Sequence, residues 1–580
     1  MLRDKDLQSI QQVRDLVERA HKAQKVFETL SQSRVDDVVS RMAAAALRES
    51  ARLGMLAVEE TGYGIPEDKN LKNSFVAKKV AEYIKPLRTM GIISEDAVRR
   101  ITEIAVPMGV VAAIIPSTNP TSTAIFKCLI SLKAGNGVVL SPHPAAARCI
   151  GESAKVCYEA ALEGGAPEGI IGWMTIPTLD ATQELMKHKK VAVILATGGA
   201  GLVKAAYSSG KPAYGVGPGN VPAYVDRSAD IRKAVRDILT GKTFDHGTLC
   251  SSEQSIIVDE PVEAQVFEEL QKHHAYFLND EEVRKLESVA ILHNQSLNPQ
   301  IVGKSPLWIA NKAGLVVPEN TRVLVVRLTG VGREYPLSCE KLSPILSYYV
   351  VRNWREGCER CKQILAYGGM GHTLAIHCED LEVIRQFGLE KPAFRICVNT
   401  PATHGSIGLS TSLAPSMTLG CGTYGNNITT DNITPLHLIQ IKRLAWETSE
   451  VLPSWISSSV AAGQKDVYGA GAGSSGEPSA GASMSAIVEE YLASRGIKNP
   501  AGGMRAASAE TVKSAAAGSS QPLKTGTGPE LRARQAVEFV CEQDVRTALQ
   551  ARESIYINLK TIITPAARDL GTVHDVFVSV

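Results

Sequence analysis

Residues 191–207 read VAVILATGGAGLVKAAY. The apolar run Val191 to Ala196 has the length and composition of a buried strand. It stops at Thr197-Gly198-Gly199-Ala200-Gly201, and a helix is expected over Gly201 to Tyr207. Glycines in such a turn let a ligand approach the backbone, and the helix N-terminus offers unpaired N–H groups to a phosphate. The competing reading is an ordinary glycine-bearing strand-to-helix turn. Working outward, similar apolar runs recur at Val110 to Ile115, Val138 to Leu140, Ser255 to Val258, Val323 to Val326 and Ile345 to Val351. Helical patterns such as Val156 to Glu163 lie between them. Alternating strands and helices imply an α/β architecture whose largely parallel sheets are covered on both faces.

The chain has 580 residues, enough for three or four structural units of about 150 residues each. It is 44% hydrophobic and 21% charged, a composition that can bury a large core. The net charge of +2 argues against a broad basic surface for nucleic acid. No apolar stretch is long enough to span a bilayer, because Pro107 and Gly109 interrupt Val106 to Ile115. The opening MLRDKDLQSIQQVRD is charged and helical in pattern, unlike a secretory signal. Eleven scattered cysteines fit a reducing compartment better than a disulfide framework. A soluble intracellular enzyme is expected.

Composition changes near residue 452. Of residues 461–530, 37 of 70 are Ala, Gly or Ser, which reads as flexible linker because so little apolar surface cannot offset the entropy of ordering. Within it, Met484, Ile487, Val488, Tyr491 and Leu492 fall on one stripe of a short helix ending near Gly496. The last 45 or so residues read as helix (Glu542 to Ala551), strand (Ile555 to Asn558), helix and strand (Val573 to Val578). Thr564 and Pro565 suit the start of that second helix.

Two patterns are set aside. Gly471-Ala-Gly473-Ser-Ser-Gly476 matches a dinucleotide fingerprint but lies in the linker with no strand before it. Cys358-x-x-Cys361 lies on a charged helical stretch without a second pair, and the histidines show no ligand spacing, so no metal is expected. Two loops remain. GVGPGNVP (215–222) is constrained by alternating glycines and a proline. In FDHGTLCSSEQ (244–254), Cys250 lies in a small-residue loop beside a strand, where a cysteine can be reactive or simply buried and inert.

Several segments occur together in one order: PSTNPTSTAIFK (116–127), SPHP (141–144), the run 196–226, KTFDHGTLCSSEQ (242–254), CEKLSP (339–344), GGMGHT (368–373), NTP (399–401) and LAPSMTLGCGTYG (413–425). Over about residues 5–445 the chain resembles the CoA-acylating aldehyde dehydrogenases, including the propionaldehyde and acetaldehyde enzymes of bacterial microcompartments. No iron-dependent alcohol dehydrogenase half follows, so a single activity is expected. The resemblance implies an aldehyde dehydrogenase-like fold, with two Rossmann-type parallel-sheet domains, an oligomerisation β-arm and a flexible C-terminal extension. It divides the chain into an NAD-binding domain (1–215, with part of 420–450), a catalytic domain (216–420), the linker (452–530) carrying helix 484–497, and a small α/β segment (534–580).

By the same resemblance, Cys250 is the nucleophile and Asn119 joins the Cys250 N–H in an oxyanion hole. Glu340 positions the nicotinamide ribose, and Pro116, His143, Thr197, Gly198, Gly199, Gly201, Gly217 and Gly219 border the cofactor. The cofactor is NAD or NADP, with NAD preferred, and coenzyme A is the co-substrate. No His or Lys stands out as the partner of Cys250. Hydrolytic relatives carry E-L-G-G-K where this chain has GVGPGN (215–220), with no carboxylate to activate water. A coenzyme A thiol can attack a thioester with little need of a protein base, so acyl-CoA is the expected product. The substrate is a short aliphatic aldehyde, propionaldehyde first and acetaldehyde second. The rival readings are a hydrolytic dehydrogenase, an acyl-phosphate reductase and a non-catalytic scaffold. Helix 484–497 resembles an encapsulation peptide of the propanediol-utilisation type. It implies shell or cargo partners and a place in the cytoplasm inside a microcompartment; a homodimer or homotetramer is expected, with no nucleic-acid or membrane partner.

Overall fold

The computed structural model describes residues 4–449, residue 451, and 537–579 except 552, 559, 560, 565, 566, 569, 572, 573 and 575. The linker and helix 484–497 lie outside the described residues. The chain divides into two compact units, residues 1–463 and 464–580.

The first unit is built on three sheets. A short antiparallel sheet joins β1 (Gly91–Asp96) and β2 (Ile101–Pro107) to a strand from far along the chain, Ile439–Ala445, which pairs with β2 so that Ile439 faces Pro107. A five-stranded parallel sheet follows, made of β3 (Val110–Ile115), β4 (Gly137–Pro142), β5 (Ile171–Trp173), β6 (Val191–Thr197) and β7 (Ala213–Val216). Its spatial order is β5-β4-β3-β6-β7. The chain therefore winds outward from β3 and then returns to lay β6 on the other side of β3. Such a reversal opens a crevice at the carboxyl ends of the two central strands, where α/β proteins bind ligands.

β3 reads VVAAII and is buried along its whole length. Its side chains alternate between two apolar clusters, as the strand period of two requires. Val111, Ala113 and Ile115 pack with the helices Pro120–Lys133 and Ala147–Glu163. Val110, Ala112 and Ile114 pack with Val13, Leu16 and Val17 of the first helix, Lys5–Phe27. Cover on both faces explains why the strand reads as a continuous apolar run.

The chain leaves the first sheet at Val216 and enters the second at Val221. The second sheet is seven-stranded and parallel: β8 (Val221–Val225), β9 (Glu253–Asp259), β10 (Ala275–Phe277), β11 (Val323–Arg327), β12 (Ile345–Val351), β13 (Gly371–His377) and β14 (Ala393–Val398). Its order is β10-β11-β12-β9-β8-β13-β14, with β8, β9 and β13 central or nearly so. The strand runs read from sequence match β3, β4, β6, β9, β11 and β12 to within two or three residues. The three-stranded sheet had no comparable signal, because its strands are half-exposed and its third member is more than 300 residues away in sequence.

In the second unit, Phe539–Val540 pairs in parallel with Ile562–Ile563, and Ile555–Ile557 pairs with Phe577–Ser579. The helix Glu542–Ala551 has the bounds expected from its pattern. Ala567 N–H donates to Thr564 Oγ1 at 3.4 Å and Arg568 N–H to Thr564 O at 2.9 Å, the bonds of an N-capping threonine. The two-residue strands were too short to read.

In the second sheet, Phe387 of the helix Leu381–Glu390 is fully buried and stacks on Tyr224 of β8 with ring centroids 4.8 Å apart. Phe387→Ala should lower unfolding stability by about 3–5 kcal/mol, read as a shifted urea midpoint at unchanged m-value.

Candidate active site

The carboxyl ends of β3 and β6 face the amino ends of the strands of the second sheet. A cavity of about 540 Å³ lies between them. Pro116 to Asn119 follow β3, Thr197 ends β6 with Gly198 and Gly199 after it, and His143 follows β4; all line this cavity. From the other side come Gly217, Thr248, Cys250 and Glu340. Of the eleven residues singled out by sequence, nine therefore share one cavity wall. Gly201 and Gly219 do not.

Cys250 lies just before β9, and its Sγ is 3.1 Å from His372 Nε2 at the start of β13. The other ring nitrogen, Nδ1, is 2.9 Å from Thr373 Oγ1. The Thr373 hydroxyl can donate to Nδ1 or accept from it, so both tautomers satisfy the two contacts; with the proton on Nδ1, Nε2 is the atom that can accept the thiol proton. Burial, with Glu340 and Cys421 adding to it, pushes the Cys250 thiol up to about 12. Burial, with the Arg395 charge adding to it, pulls His372 down to about 3. At rest the pair is a neutral thiol beside a neutral imidazole. His372 is fully buried behind Cys250 and does not line the cavity. It lies 122 residues from Cys250 in sequence, in the GGMGHT segment, and only the pairing of β8 with both β9 and β13 brings the two together.

Asn119 is held from two sides. Lys72 Nζ donates to its Oδ1 at 2.5 Å, while its Nδ2 donates to Thr248 O at 3.2 Å and Thr118 Oγ1 at 3.3 Å. An ammonium on the oxygen end fixes which end of the amide faces the nucleophile loop, and it is the donor end. Lys72 also contacts the Asp245 carboxylate, which takes further bonds from Lys69 Nζ at 2.9 Å, Ile65 N–H at 2.7 Å and Thr248 Oγ1 at 2.5 Å. Lys69 and Lys72 are three apart on the helix Pro66–Phe75 and so share a face. Burial alone would raise the Asp245 carboxyl, but Lys72 and Lys69 outweigh it and hold the group below the usual carboxylate range. Burial brings Lys72 down to about 8. Neither lysine carried a sequence signal, because their partner is 173 or more residues away.

Glu340 Oε1 accepts the Gly219 N–H at 3.1 Å. A Cβ on Gly219 would lie 2.1 Å from the Cys250 carbonyl oxygen, so only glycine lets this loop pass so close to the nucleophile. By contrast, a Cβ on Gly199 or Gly217 would meet nothing within 4 Å. Packing does not require glycine there, and the bare backbone borders open cavity. The helix Ala200–Tyr207 has no side-chain cap, so its first N–H groups are available to a phosphate. These features fit a dinucleotide lying along the Thr197–Gly199 turn. Beneath that turn, Lys127 Nζ donates to Ile114 O at 2.7 Å, Leu195 O at 2.8 Å and Thr197 Oγ1 at 3.0 Å, stapling the ends of β3 and β6 together. Far from this cavity, ligand atoms of Cys358, Glu359 and Glu390 lie within 4.8 Å of one another. The Lys391 amine already bonds Cys358 Sγ there.

A buried thiol in contact with an imidazole lies here in a cleft between two parallel sheets, across from an uncapped helix N-terminus, an arrangement open to cysteine chemistry on a bound ligand. The model of the aldehyde dehydrogenase family matches residues 6–294. The chain is 37% identical over 444 residues to a succinate-semialdehyde dehydrogenase (acetylating) of Clostridium kluyveri, covering 98% of that protein and 76% of this one. It is 43% identical over 444 residues to aldehyde-alcohol dehydrogenase 2 of Entamoeba histolytica, covering 75% of this chain. It spans only about half of that longer relative, 51% of its length. Among solved structures, an acetylating aldehyde dehydrogenase from Geobacillus thermoglucosidasius is 55% identical with a TM-score of 0.77, covering 78% of this chain and 100% of that one. A propionaldehyde dehydrogenase from the Clostridium phytofermentans fucose utilisation bacterial microcompartment is 28% identical with a TM-score of 0.68, covering 76% of this chain and 98% of that one. The chain belongs to the aldehyde dehydrogenase family.

Asp245→Asn would leave two buried ammonium groups facing a neutral amide. Loss of one partner of a buried charge cluster costs about 3–5 kcal/mol. The variant should unfold at correspondingly lower urea, and its Cys250 should alkylate at an altered rate because Thr248 loses its anchor.

Proposed function

We propose that this protein oxidises a short aliphatic aldehyde, propionaldehyde or acetaldehyde, to the acyl-CoA with NAD and coenzyme A through a thioester on Cys250. The observation that carries this reading is the Cys250–His372 contact beside a cavity bordered by Gly217 and Pro218, in a segment (215–220) that itself carries no carboxylate. The acetylating activity named for the Clostridium kluyveri and Geobacillus thermoglucosidasius relatives supports it.

In the first half-reaction the Cys250 thiol proton passes to His372 Nε2, and the thiolate sulfur bonds to the aldehyde carbonyl carbon. The negative charge gathers on the former carbonyl oxygen, where Asn119 Nδ2 and the Cys250 N–H can donate to it. Thr197–Gly199 and Glu340 would hold the dinucleotide, which would supply the hydride acceptor, and loss of the hydride leaves the acyl group on Cys250. The acylation half-reaction releases one proton to solvent. Hydrolytic relatives carry a glutamate within the segment matching Gly215–Asn220; its absence from this chain's segment favours release of the acyl group to a thiol.

The half-exposed Ile441, Leu444 and Trp446 at the antiparallel sheet suit contact with a second copy, in keeping with a homo-oligomer. The microcompartment origin of the Clostridium phytofermentans neighbour supports confinement of this enzyme with its volatile substrate. Residues 484–497 would then dock on shell or cargo protein.

Purified protein should form NADH from propionaldehyde only when CoA is present, and Cys250→Ala should abolish this. NADH formed at the same rate without CoA would overturn acyl transfer in favour of hydrolysis. A Cys250→Ala variant indistinguishable from wild type would make the chain a scaffold. Placing Asp at Ile487 and Leu492 should leave aldehyde oxidation unchanged and abolish co-sedimentation with assembled shells.

A further inference from the structure

Three titratable side chains line the cavity: His143, Cys250 and Glu340. His143 lies on the far wall after β4, and its Nδ1 accepts the Ala145 N–H at 3.1 Å. His372 is fully buried, does not line the cavity, and has its Nε2 engaged by Cys250 Sγ at 3.1 Å. It can take the proton of Cys250 but not that of a thiol arriving from the open side. Glu253, the nearest other carboxylate in sequence, is fully buried outside the cavity wall and engaged at both oxygens, by Ala402 N–H at 2.6 Å and Thr403 Oγ1 at 3.4 Å. Glu340 differs on each count. It borders the cavity beside Cys250, and only its Oε1 is bonded, to Gly219 N–H; Oε2 has no protein partner among the described residues.

We propose that Glu340 is the general base of the second half-reaction, taking the proton of the incoming CoA thiol through Oε2. The proposal rests on the acyl-transfer reading above and adds a base to it. CoA sulfur then bonds to the thioester carbon, the Cys250 S–C bond breaks, and the proton carried by Glu340 is returned to the departing Cys250 sulfur. The half-reaction thus consumes acyl-enzyme and CoA thiol and yields acyl-CoA and free Cys250 thiol, with no net proton and no redox change. Each half-reaction has its own base, one behind the nucleophile and one in front of it. Burial raises the Glu340 carboxyl to about 8, near the range in which a thiol ionises, so its base form is the minor one at pH 7 and thiolysis should quicken as pH rises through that value. The anchor of this carboxylate is itself built in: Lys341 Nζ donates to Leu337 O at 2.7 Å and Cys339 O at 2.8 Å, fixing the turn that carries Glu340.

The test separates thiolysis from cofactor use. Acyl-enzyme is loaded on wild type and Glu340→Gln with propionaldehyde and NAD, its amount is fixed by intact mass, and thiol is then added at pH 7. The Gln carbonyl can still accept the Gly219 N–H, so the loop keeps its anchor. With CoA, thiolysis should fall by about 100-fold in the variant. With thionitrobenzoate, a thiol already ionised at that pH, the two proteins should react alike. Glu340→Asp should recover part of the CoA rate. Undiminished thiolysis by CoA overturns the proposal, leaving Glu340 a contact of the cofactor alone. Equal losses with both thiols also overturn it, in favour of a purely positioning role. Wild-type acyl-enzyme that releases free acid and ignores CoA overturns both this proposal and the acyl-transfer reading.

Discussion

The buried carboxylate of Asp245 is the point on which the active site depends. Two ammonium groups from one helix, a backbone N–H from the turn before that helix, and the hydroxyl of Thr248 all converge on it. Through Lys72 the same cluster reaches Asn119, and through Lys69 it reaches the Thr118 carbonyl. The N-terminal helices, the loop after β3 and the loop before β9 are therefore tied into one polar knot. Asp245 and His246 adopt positive φ angles of 48° and 51°, a cost that the converging bonds sustain. Low dielectric strengthens each bond here, and makes an unpaired member costly in the same measure.

Around that knot the two sheets present opposite ends to the cleft. The first offers the carboxyl ends of its strands, where the reversal between β3 and β6 leaves room for a ligand. The second offers the amino ends, where Cys250, Glu340 and His372 each sit just before or at the start of a strand. Strand ends are held by the sheets behind them, so side chains carried there keep their spacing while the loops beyond can vary. The fully buried Lys127 serves the same rigidity in the first sheet by spanning the ends of β3 and β6. A dry site also explains the resting ionisation: burial favours the neutral forms of both the Cys250 thiol and the His372 imidazole.

Much of the fold was legible in the chain. Strands buried on both faces read as apolar runs, which is why Val110 to Ile115 matches its strand end to end, and Ile345 to Val351, broken only by Ser347, does so too. The glycine turn after Val191 to Ala196 was legible because a close backbone approach and a helix start need distinctive residues. Cys250, Asn119 and Glu340 came from ordered motifs, and nine of the eleven singled-out residues share the cavity wall. Gly201 does not line it, and Gly219 serves by letting the loop pass against Cys250 and by holding Glu340.

The sequence by itself determined the α/β class, the parallel strands and the small set of side chains that could do chemistry, since these depend on local period and residue type. Only the tertiary structure decided how those side chains pair. His372 becomes the partner of Cys250 because β8 is hydrogen-bonded to both β9 and β13, and Lys69 and Lys72 find Asp245 because the N-terminal helices fold back against the nucleophile loop. Contacts across 122 and 173 residues leave no spacing signature, since the intervening chain sets no fixed distance until it has folded.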